Sequence, residues 1–196
     1  MKELKDTFIK HGKIVNYKKN DVVFNEHDYC ETVGYVIKGK IKISTITGEE
    51  NEYVINLLKE DEIFGDLLVF SSNPNYYGIA VTTEYTQVAY ISKNKLLTLF
   101  KEDISMLSSF LKIITDKGVH LKQLNKMYAH KNIEERIMYY LNHVANKSSD
   151  GLIYFKSLTD IAYILSLPRP SLSRSMHNLE RAGYIKILNH TIEVKK

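Results

Sequence analysis

The part of the sequence that decides the fold is Ser157-Leu-Thr-Asp-Ile-Ala-Tyr-Ile-Leu-Ser-Leu-Pro-Arg-Pro-Ser-Leu-Ser-Arg-Ser-Met-His-Asn-Leu-Glu-Arg181. Its apolar residues recur at helical spacing in two short segments that are separated by Ser166-Leu167-Pro168. Ser157 precedes the first segment as a helix cap, and Asp160 follows it three residues later. Pro168 disfavours helical geometry at Leu167, and Pro170 is tolerated only in the first turn of a helix. The pattern predicts two helices joined by a tight turn.

The second predicted helix has one apolar and one polar face. At about 100° per residue, the face opposite Leu172, Met176 and Leu179 carries Ser171, Ser173, Arg174, His177 and Arg181, and Arg169 lies near the helix start. Arginine donates two hydrogen bonds to the edge of guanine, and serine or a helix N-terminus holds phosphate oxygens. An ordinary exposed helix also carries Arg and Ser. We nevertheless predict from this face a helix that reads the major groove of double-stranded DNA.

A hairpin is predicted directly after this helix. Residues Gly183–Val194 contain two β runs around an Asn189-His190 turn. A hairpin in this place is the wing of a winged helix. Two helices, a turn and a wing in this order are far more specific than any one of them.

The first half of the chain is predicted to be a β domain. From Ile14 to Ile91, short β-rich runs alternate with turns, two of which are Lys38-Gly39 and Thr47-Gly48-Glu49. In the run Lys40–Ile46 the alternation places Ile41, Ile43 and Thr45 on one face. Many short strands at this spacing indicate an antiparallel roll, barrel or jelly roll with room for a small ligand. The fold class is therefore α+β.

The middle of the chain is predicted to be helical, because Lys93–Lys147 contains no proline and only Gly118 as a breaker. Asn132 is the expected cap of a second helical segment in this region. A coiled-coil seam for a homodimer is predicted from alternating spacings of four and three residues. Its members are Leu107, Leu111, Ile114, Gly118, Leu121, Asn125 and Tyr128. The alternative is that this helix packs on its own β domain, and one helix can do both.

Composition narrows the function classes. No run of the 196 residues is apolar enough to span a membrane, and the N-terminus lacks a signal-peptide core, so we expect a cytoplasmic protein. The single cysteine, Cys30, excludes an iron–sulfur cluster held by several thiolates. Residues 1–100 carry 12 basic and 14 acidic side chains, whereas residues 151–196 carry 7 and 3. The basic excess lies with the predicted reading helix, where it favours a polyanion.

A β-roll, a central helix and a C-terminal winged helix in this order resemble the CRP/FNR family of bacterial transcription regulators. The resemblance covers almost the whole chain and is carried by Gly39, Gly48, Phe64-Gly65-Asp66-Leu67, Glu134-Glu-Arg-Ile137 and Arg169-Pro-Ser-Leu-Ser-Arg174. It implies a β-roll effector domain over 1–100, a dimerisation helix over 101–130 and a DNA-binding domain over 131–196. It further implies a homodimer on a two-fold-symmetric operator, base contacts from Arg169 and Arg174, and RNA polymerase as a partner.

The sequence departs from the family at the effector site. In cyclic-nucleotide-binding members a Gly-Glu-Leu segment precedes an Arg that neutralises the cyclic phosphate. Here that segment is Gly65-Asp66-Leu67, and Tyr76 and Tyr77 stand at the Arg-Ser positions. The residues that align with the base-contacting pair are Leu121 and Lys122. A buried phosphate without a cationic partner is costly, and no basic residue occurs between Lys59 and Lys93, so we do not expect cyclic AMP.

Other effectors and functions stay open at this point. Haem has candidate ligands in His11, His27, Cys30 and His120, each of which also reads as an ordinary residue. Pro170 replaces the family's Glu beside the first Arg, and Ser166 replaces a common turn glycine. One alternative is a regulator whose pocket is filled by tyrosines and that needs no effector. Another is a cupin-type metal enzyme, which the two distant histidines of the first half oppose. We expect neither a metal site nor an enzyme.

Overall fold

The computed structural model describes residues 2–47 and 51–195 and divides the chain into two compact units, 1–114 and 115–196. Gly48 and Glu49 of the predicted second turn lie outside the described residues. No helix within the described part of the chain is long and apolar enough to cross a bilayer.

The first unit is built on two antiparallel four-stranded sheets. Helix α1 (Lys2–His11) precedes them, and α2 (Lys93–Glu102) follows. The strands are β1 (Lys13–Tyr17), β2 (Val22–Phe24), β3 (Thr32–Lys38), β4 (Ile41–Thr47), β5 (Asn51–Leu58), β6 (Ile63–Phe64), β7 (Ile79–Thr82) and β8 (Thr86–Ser92). One sheet has the order β1-β8-β3-β6 and the other β2-β7-β4-β5. This arrangement confirms the predicted β-roll.

The alternation expected along β4 agrees with burial at Ile41 and Ile43. Ile41 is buried in the core and Ile43 packs partly buried against it. The pairing of β4 with β5 shifts register because β5 carries the extra residue Ile55, which lies between the partners of Ile43 and Ser44. Ser44 is also buried, and Thr45 is half-buried.

Helix α1 has no counterpart among the sequence predictions. It buries Leu4 and Phe8 in the core of the first unit, where the Phe8 ring lies 5.5 Å from that of Tyr35. The Lys5 ammonium lies 2.8 Å from the Asp61 carboxylate, which also accepts a 2.6 Å hydrogen bond from the Tyr35 hydroxyl. Because the helix has only two buried anchors, its apolar periodicity is too short to be visible in the sequence.

The long helical region is interrupted, which corrects the expectation of few breaks. Asp103 adopts an extended conformation after α2, and its carboxylate accepts hydrogen bonds from the backbone N–H groups of Ser105 and Met106. It thereby caps the long helix α3 (Ile104–Ala129). Asn132 caps α4 (Ile133–Tyr139), as predicted, through the N–H groups of Glu134 and Glu135. A π-helical turn (Tyr140–Val144) continues α4.

The second unit is a winged helix, as predicted. After α4 come β9 (Ile153–Tyr154), α5 (Leu158–Ile164), α6 (Arg169–Arg181), β10 (Ile185–Leu188) and β11 (Thr191–Val194). The three strands form a sheet in the order β10-β11-β9. The apolar faces of the helices and of this sheet enclose one core, whose fully buried side chains include Met127, Ile137, Leu141, Ile161, Leu165, Leu172, Met176, Ile185 and Ile192.

Candidate nucleic-acid interface

The turn between α5 and α6 holds α6 at a fixed angle. Ser157 caps α5 by accepting a 3.1 Å hydrogen bond from the Asp160 N–H. At the other end Ser166 has φ = 52°, while its N–H donates to the Tyr163 carbonyl and the Leu167 N–H to the Ala162 carbonyl. This pair of bonds is a Schellman motif, whose left-handed position glycine usually occupies. Pro168 then precedes α6, and Pro170 lies in its first turn.

The two faces of α6 separate as the sequence predicted. Leu172, Met176 and Leu179 are buried in the core of the second unit. Arg169, Arg174 and His177 are exposed, while Ser171 and Ser173 are half-buried. Within residues 2–47 and 51–195, no carboxylate pairs with Arg169, Arg174 or the exposed Arg181. The helix thus presents guanidinium groups to solvent from a rigid base.

The acidic residues nearest this face are used inside the unit. Glu134 of α4 accepts a hydrogen bond of 3.1 Å from the Asn178 side chain of α6. The Glu180 carboxylate accepts 2.8 Å from the Ile187 N–H and so fixes the wing against α6. It lies 3.9 Å from the His177 ring, at the limit of an ion pair. Because these carboxylates have internal partners, they leave the arginines unneutralised.

Arg136 is a supporting residue whose role the sequence did not reveal. Its guanidinium donates to the His130 carbonyl at 2.8 and 3.1 Å and to the Leu165 carbonyl at 3.3 Å. It therefore connects the segment before α4 to the end of α5. The resemblance marked Glu134–Ile137 as a motif, but only the fold shows that its arginine binds backbone carbonyls of the second unit.

The predicted dimer seam on α3 divides into two groups. Leu107 and Ile114 are partly buried against the core of the first unit. Leu111, Leu121, Asn125 and Tyr128 are exposed, although the Tyr128 hydroxyl donates 2.8 Å to the Ile164 carbonyl. A Cβ built on Gly118 would meet nothing within 4 Å. The helix surface around Gly118 is therefore open in the protomer.

The residues predicted for an effector pocket do not share one environment. Gly65 is buried with φ = +74°, and Asp66 is buried beside it. Leu67 is exposed, and the Tyr77 side chain is 62% exposed. Leu121 and Lys122 are exposed on α3 in the second unit. Their role as effector contacts stays a prediction.

Tyr76 occupies the interior of the roll. Its ring stacks on Phe24 with centroids 3.6 Å apart. A Cβ on Gly65 would lie 2.6 Å from the Thr32 carbonyl oxygen and 3.2 Å from the Tyr76 hydroxyl oxygen. Because Gly65 also has φ = +74°, no larger residue fits there without strain. Burial raises the pKa of the Tyr76 phenol and that of the Cys30 thiol, so both groups are neutral. Cys30 is thus a buried core residue.

The candidate haem ligands differ in their exposure to solvent. His11, His27 and His120 are exposed, whereas Cys30 is buried. His27 has φ = 70°, a left-handed conformation that is uncommon for a residue other than glycine. In the part of the chain that the structure describes, no three His, Cys, Asp or Glu residues are grouped to hold a metal ion.

Comparison with known proteins finds relatives that match nearly the whole chain. Residues 14–103 match the cyclic nucleotide-binding domain. An anaerobic regulatory protein from Bacillus subtilis is 24% identical over 179 residues, covering 87% of this chain and 74% of its own. A global nitrogen regulator from Nostoc sp. is 22% identical over 192 residues, covering 93% and 85%. The solved structure described as OCPA complexed CprK shares the fold with a TM-score of 0.74 and 20% identity, covering 100% of this chain and 92% of that one.

The chain is therefore similar to transcription regulators of the CRP/FNR family over nearly its whole length. The curated relatives that it matches are regulators and not enzymes, which opposes the cupin-type alternative. Three departures from the CRP/FNR pattern now have a structural account. Ser166 takes the left-handed conformation of the usual glycine, Pro170 fits the first turn of α6, and Tyr76 fills space beside Gly65.

Proposed function

We propose that the protein binds a specific DNA sequence through α6, with Arg169 and Arg174 in contact with bases and Ser171, Ser173 and His177 beside them. The observation that carries this proposal is the set of exposed, unneutralised arginines on a helix whose opposite face is fully buried. A helix of this kind fits the major groove, where a guanidinium matches the acceptor edge of guanine. The wing is positioned by Glu180 to lie next to the same groove.

We propose further that two copies bind a two-fold-symmetric operator. The support is the α3 seam, on which Leu121 is 50% exposed and Gly118 leaves room for the backbone of a second helix. In a homodimer the two α6 helices reach successive major grooves, one in each half-site. RNA polymerase is the expected partner of the bound dimer.

The dimer is tested by two substitutions on the same helix. Leu121→Glu places a charge on the seam and is expected to give monomers in analytical ultracentrifugation. Val119→Glu is the matched control, because Val119 is similarly exposed but lies off the seam. A wild-type protein that sediments as a monomer, or equal effects of the two changes, would contradict the dimer.

DNA reading is tested by selecting bound sequences from random duplexes and then measuring affinity for the selected site. Arg174→Ala is expected to cost about 1–3 kcal/mol and to relax the preference at one position of each half-site. Lys101→Ala, which removes an exposed charge from the first unit, is the control and should leave the affinity unchanged. Wild-type binding should weaken steeply with salt. An unchanged base preference in Arg174→Ala would remove Arg174 from the reading role.

We infer that a small-molecule effector, if it controls this regulator, is not cyclic AMP. Tyr76 stands where the family's cationic residue would meet the phosphate, and its buried phenol is neutral. An effector would act by favouring one of two arrangements of the dimer in which α6 fits or misses the operator. Calorimetric titration with cyclic AMP should show no heat of binding, and operator affinity should not change in its presence.

A second candidate is a regulator that needs no effector. The stack of Tyr76 on Phe24 favours it, because side chains already occupy the interior beside Gly65. Purified protein free of small molecules should then bind the selected operator at full affinity. A rise in affinity on addition of cell extract that has been freed of protein would favour effector control instead.

A further inference from the structure

A cavity of about 380 Å³ opens in the first unit, and most of the predicted effector residues do not line it. Strands β1, β2 and β8 and the segment 28–32 line it, together with Phe64 and Tyr76. Only Tyr76 is shared with the predicted effector set. The volume falls at the lower end of the range of small-molecule sites.

The inner wall of this cavity is a continuous series of aromatic rings. Tyr90 meets Phe64 edge-on at 5.9 Å, Phe64 lies 5.8 Å from Phe24, and Phe24 stacks on Tyr76 at 3.6 Å. Tyr17 joins the series through its hydroxyl, which lies 2.8 Å from that of Tyr90. Aromatic walls favour planar rings, which stack or meet them edge-on.

The hydrogen-bonded hydroxyls of Tyr17 and Tyr90 together have one proton that is not used in their own bond. One hydroxyl donates to the other, and the accepting hydroxyl keeps its own proton. Among the described residues neither hydroxyl has a second acceptor. Burial raises the pKa of the Tyr90 phenol, so the Tyr90 hydroxyl keeps its proton and is able to donate.

Charged residues are confined to the exposed rim. Lys13, Asp28 and Glu31 line the opening, and all three are exposed. The Asp28 carboxylate already accepts hydrogen bonds from the backbone and side chain of Asn25. The inner end thus offers aromatic faces and one spare hydroxyl proton, with a lysine ammonium at the entrance.

We propose that this cavity binds a small planar aromatic molecule carrying one oxygen acceptor, with its ring against Phe64, Phe24 and Tyr90 and its oxygen on the Tyr17–Tyr90 hydroxyl pair. The proposal assigns a binding site and a chemical class to the effector considered above. Its biological meaning rests on the proposed control of DNA binding by that effector. The binding itself is measured on the full chain without DNA, so that its failure is distinct from a failure of DNA binding.

The ligand class is tested with three probes of similar size. Chemical shifts of the full-length protein are followed by NMR during titration with benzoate, cyclohexanecarboxylate and benzylamine. Benzoate is expected to shift the resonances of Tyr17, Tyr90 and Val15, while cyclohexanecarboxylate lacks the planar ring and benzylamine lacks the oxygen acceptor. Equal binding of cyclohexanecarboxylate or of benzylamine, or the absence of any saturable shift with benzoate, would overturn the proposal.

The hydroxyl pair is tested by a conservative variant. Tyr90→Phe keeps the ring and removes one hydroxyl, so the remaining hydroxyl of Tyr17 loses its partner and a benzoate oxygen loses the ordered pair. Affinity should fall about three- to tenfold, the loss of one hydrogen bond. Tyr85→Phe is the matched control, because Tyr85 lies outside the cavity and its hydroxyl bonds Asn16.

The two variants are first compared with wild type by circular dichroism, because the benzoate measurement presupposes an intact fold. Should Tyr90→Phe be poorly folded, Tyr17→Phe serves in its place, since Tyr17 supplies the other hydroxyl of the pair. Equal benzoate affinity in wild type and in a folded Tyr90→Phe or Tyr17→Phe variant would remove the hydroxyl pair from the site.

Discussion

The outer face of α6 and the interior of the β-roll differ in the exposure of the residues on which function depends. On α6 the arginines are exposed and the nearby carboxylates of Glu134 and Glu180 are engaged inside the unit. In the roll, Tyr76 is withdrawn from solvent and packed against Phe24 and Cys30. One region keeps its hydrogen-bond donors available, whereas the other has largely satisfied its own.

This difference explains why the sequence predicts the DNA-binding surface more fully than the effector site. A surface that binds a polyanion is defined by the charged side chains that remain without partners. On a helix with a clear apolar stripe, the sequence shows which charged side chains lie on the exposed face. An effector site depends on the shape left between sheets, and one aromatic side chain can fill or reshape it. Substitutions in each region test this difference.

The largest effect is expected at Tyr76. Tyr76→Ala removes a buried ring from the stack with Phe24 and should lower the free energy of unfolding by about 3–5 kcal/mol. Tyr77→Ala, at the neighbouring exposed position, should change it by less than about 0.5 kcal/mol. Denaturant unfolding followed by circular dichroism measures both. Similar costs at the two positions would mean that the roll interior is not packed around Tyr76, and the contrast with α6 would be lost.

A somewhat smaller loss is expected within α6 itself. Leu172 is fully buried, so Leu172→Ala should cost about 2–5 kcal/mol in the free energy of unfolding. Ser173→Ala, one residue further on the outer face, should leave stability within about 0.5 kcal/mol of wild type. Its effect should appear in operator affinity instead. If Ser173→Ala were as destabilising as Leu172→Ala, the assignment of the two faces would be wrong.

Local signals in the sequence were sufficient for the second unit. The Ser157 and Asn132 caps, the prolines near the turn and the Leu172–Met176–Leu179 stripe each act within a few residues, and each was predicted correctly. Long-range features were not predictable in this way. Arg136 binds carbonyls at His130 and Leu165, and the latter is 29 residues away along the chain.

The first unit shows the same limit more clearly. The burial of Cys30 depends on Gly65 and Tyr76, which are distant in sequence, and its polar neighbours along the chain do not reveal it. The bulge at Ile55 of β5 depends on pairing with β4, and alternation along β5 alone does not reveal it. The positions of Tyr76 and Tyr77 were known from the resemblance, but only the fold distinguishes the buried ring from the exposed one.

The attachment of α1 to the roll supplies a test that depends on pH. The Lys5 ammonium and the Tyr35 hydroxyl hold the pKa of Asp61 below its ordinary value. A lowered carboxyl pKa stabilises the folded state at pH values above the unfolded pKa of about 4, and that contribution is lost as pH falls through the folded pKa. Asp61→Asn, which tolerates the left-handed backbone at this position, should therefore have a lower Tm than wild type at neutral pH.

The difference in Tm between wild type and Asp61→Asn should shrink as the pH is lowered below about 4, because wild-type Asp61 then becomes neutral as well. The effect should be modest, since the Asp61 side chain is half exposed and salt screens such pairs. Addition of salt at neutral pH should reduce the difference in the same direction. A difference that stays constant from neutral to acidic pH would show that the Asp61 charge does not hold α1.

The smallest effect concerns the turn that supports α6. Ser166 adopts a left-handed conformation, which costs an ordinary residue about 1–2 kcal/mol and glycine almost nothing. Glycine also gains freedom in the unfolded chain, about 0.4–1 kcal/mol, which offsets part of this relief. Ser166→Gly should therefore raise the free energy of unfolding by at most about 1 kcal/mol. Ser166→Ala keeps the strain and should give no gain. Since Gly preserves both Schellman hydrogen bonds, operator affinity should stay at the wild-type value; weaker binding in Ser166→Gly would show that serine contributes to DNA recognition beyond the turn it forms.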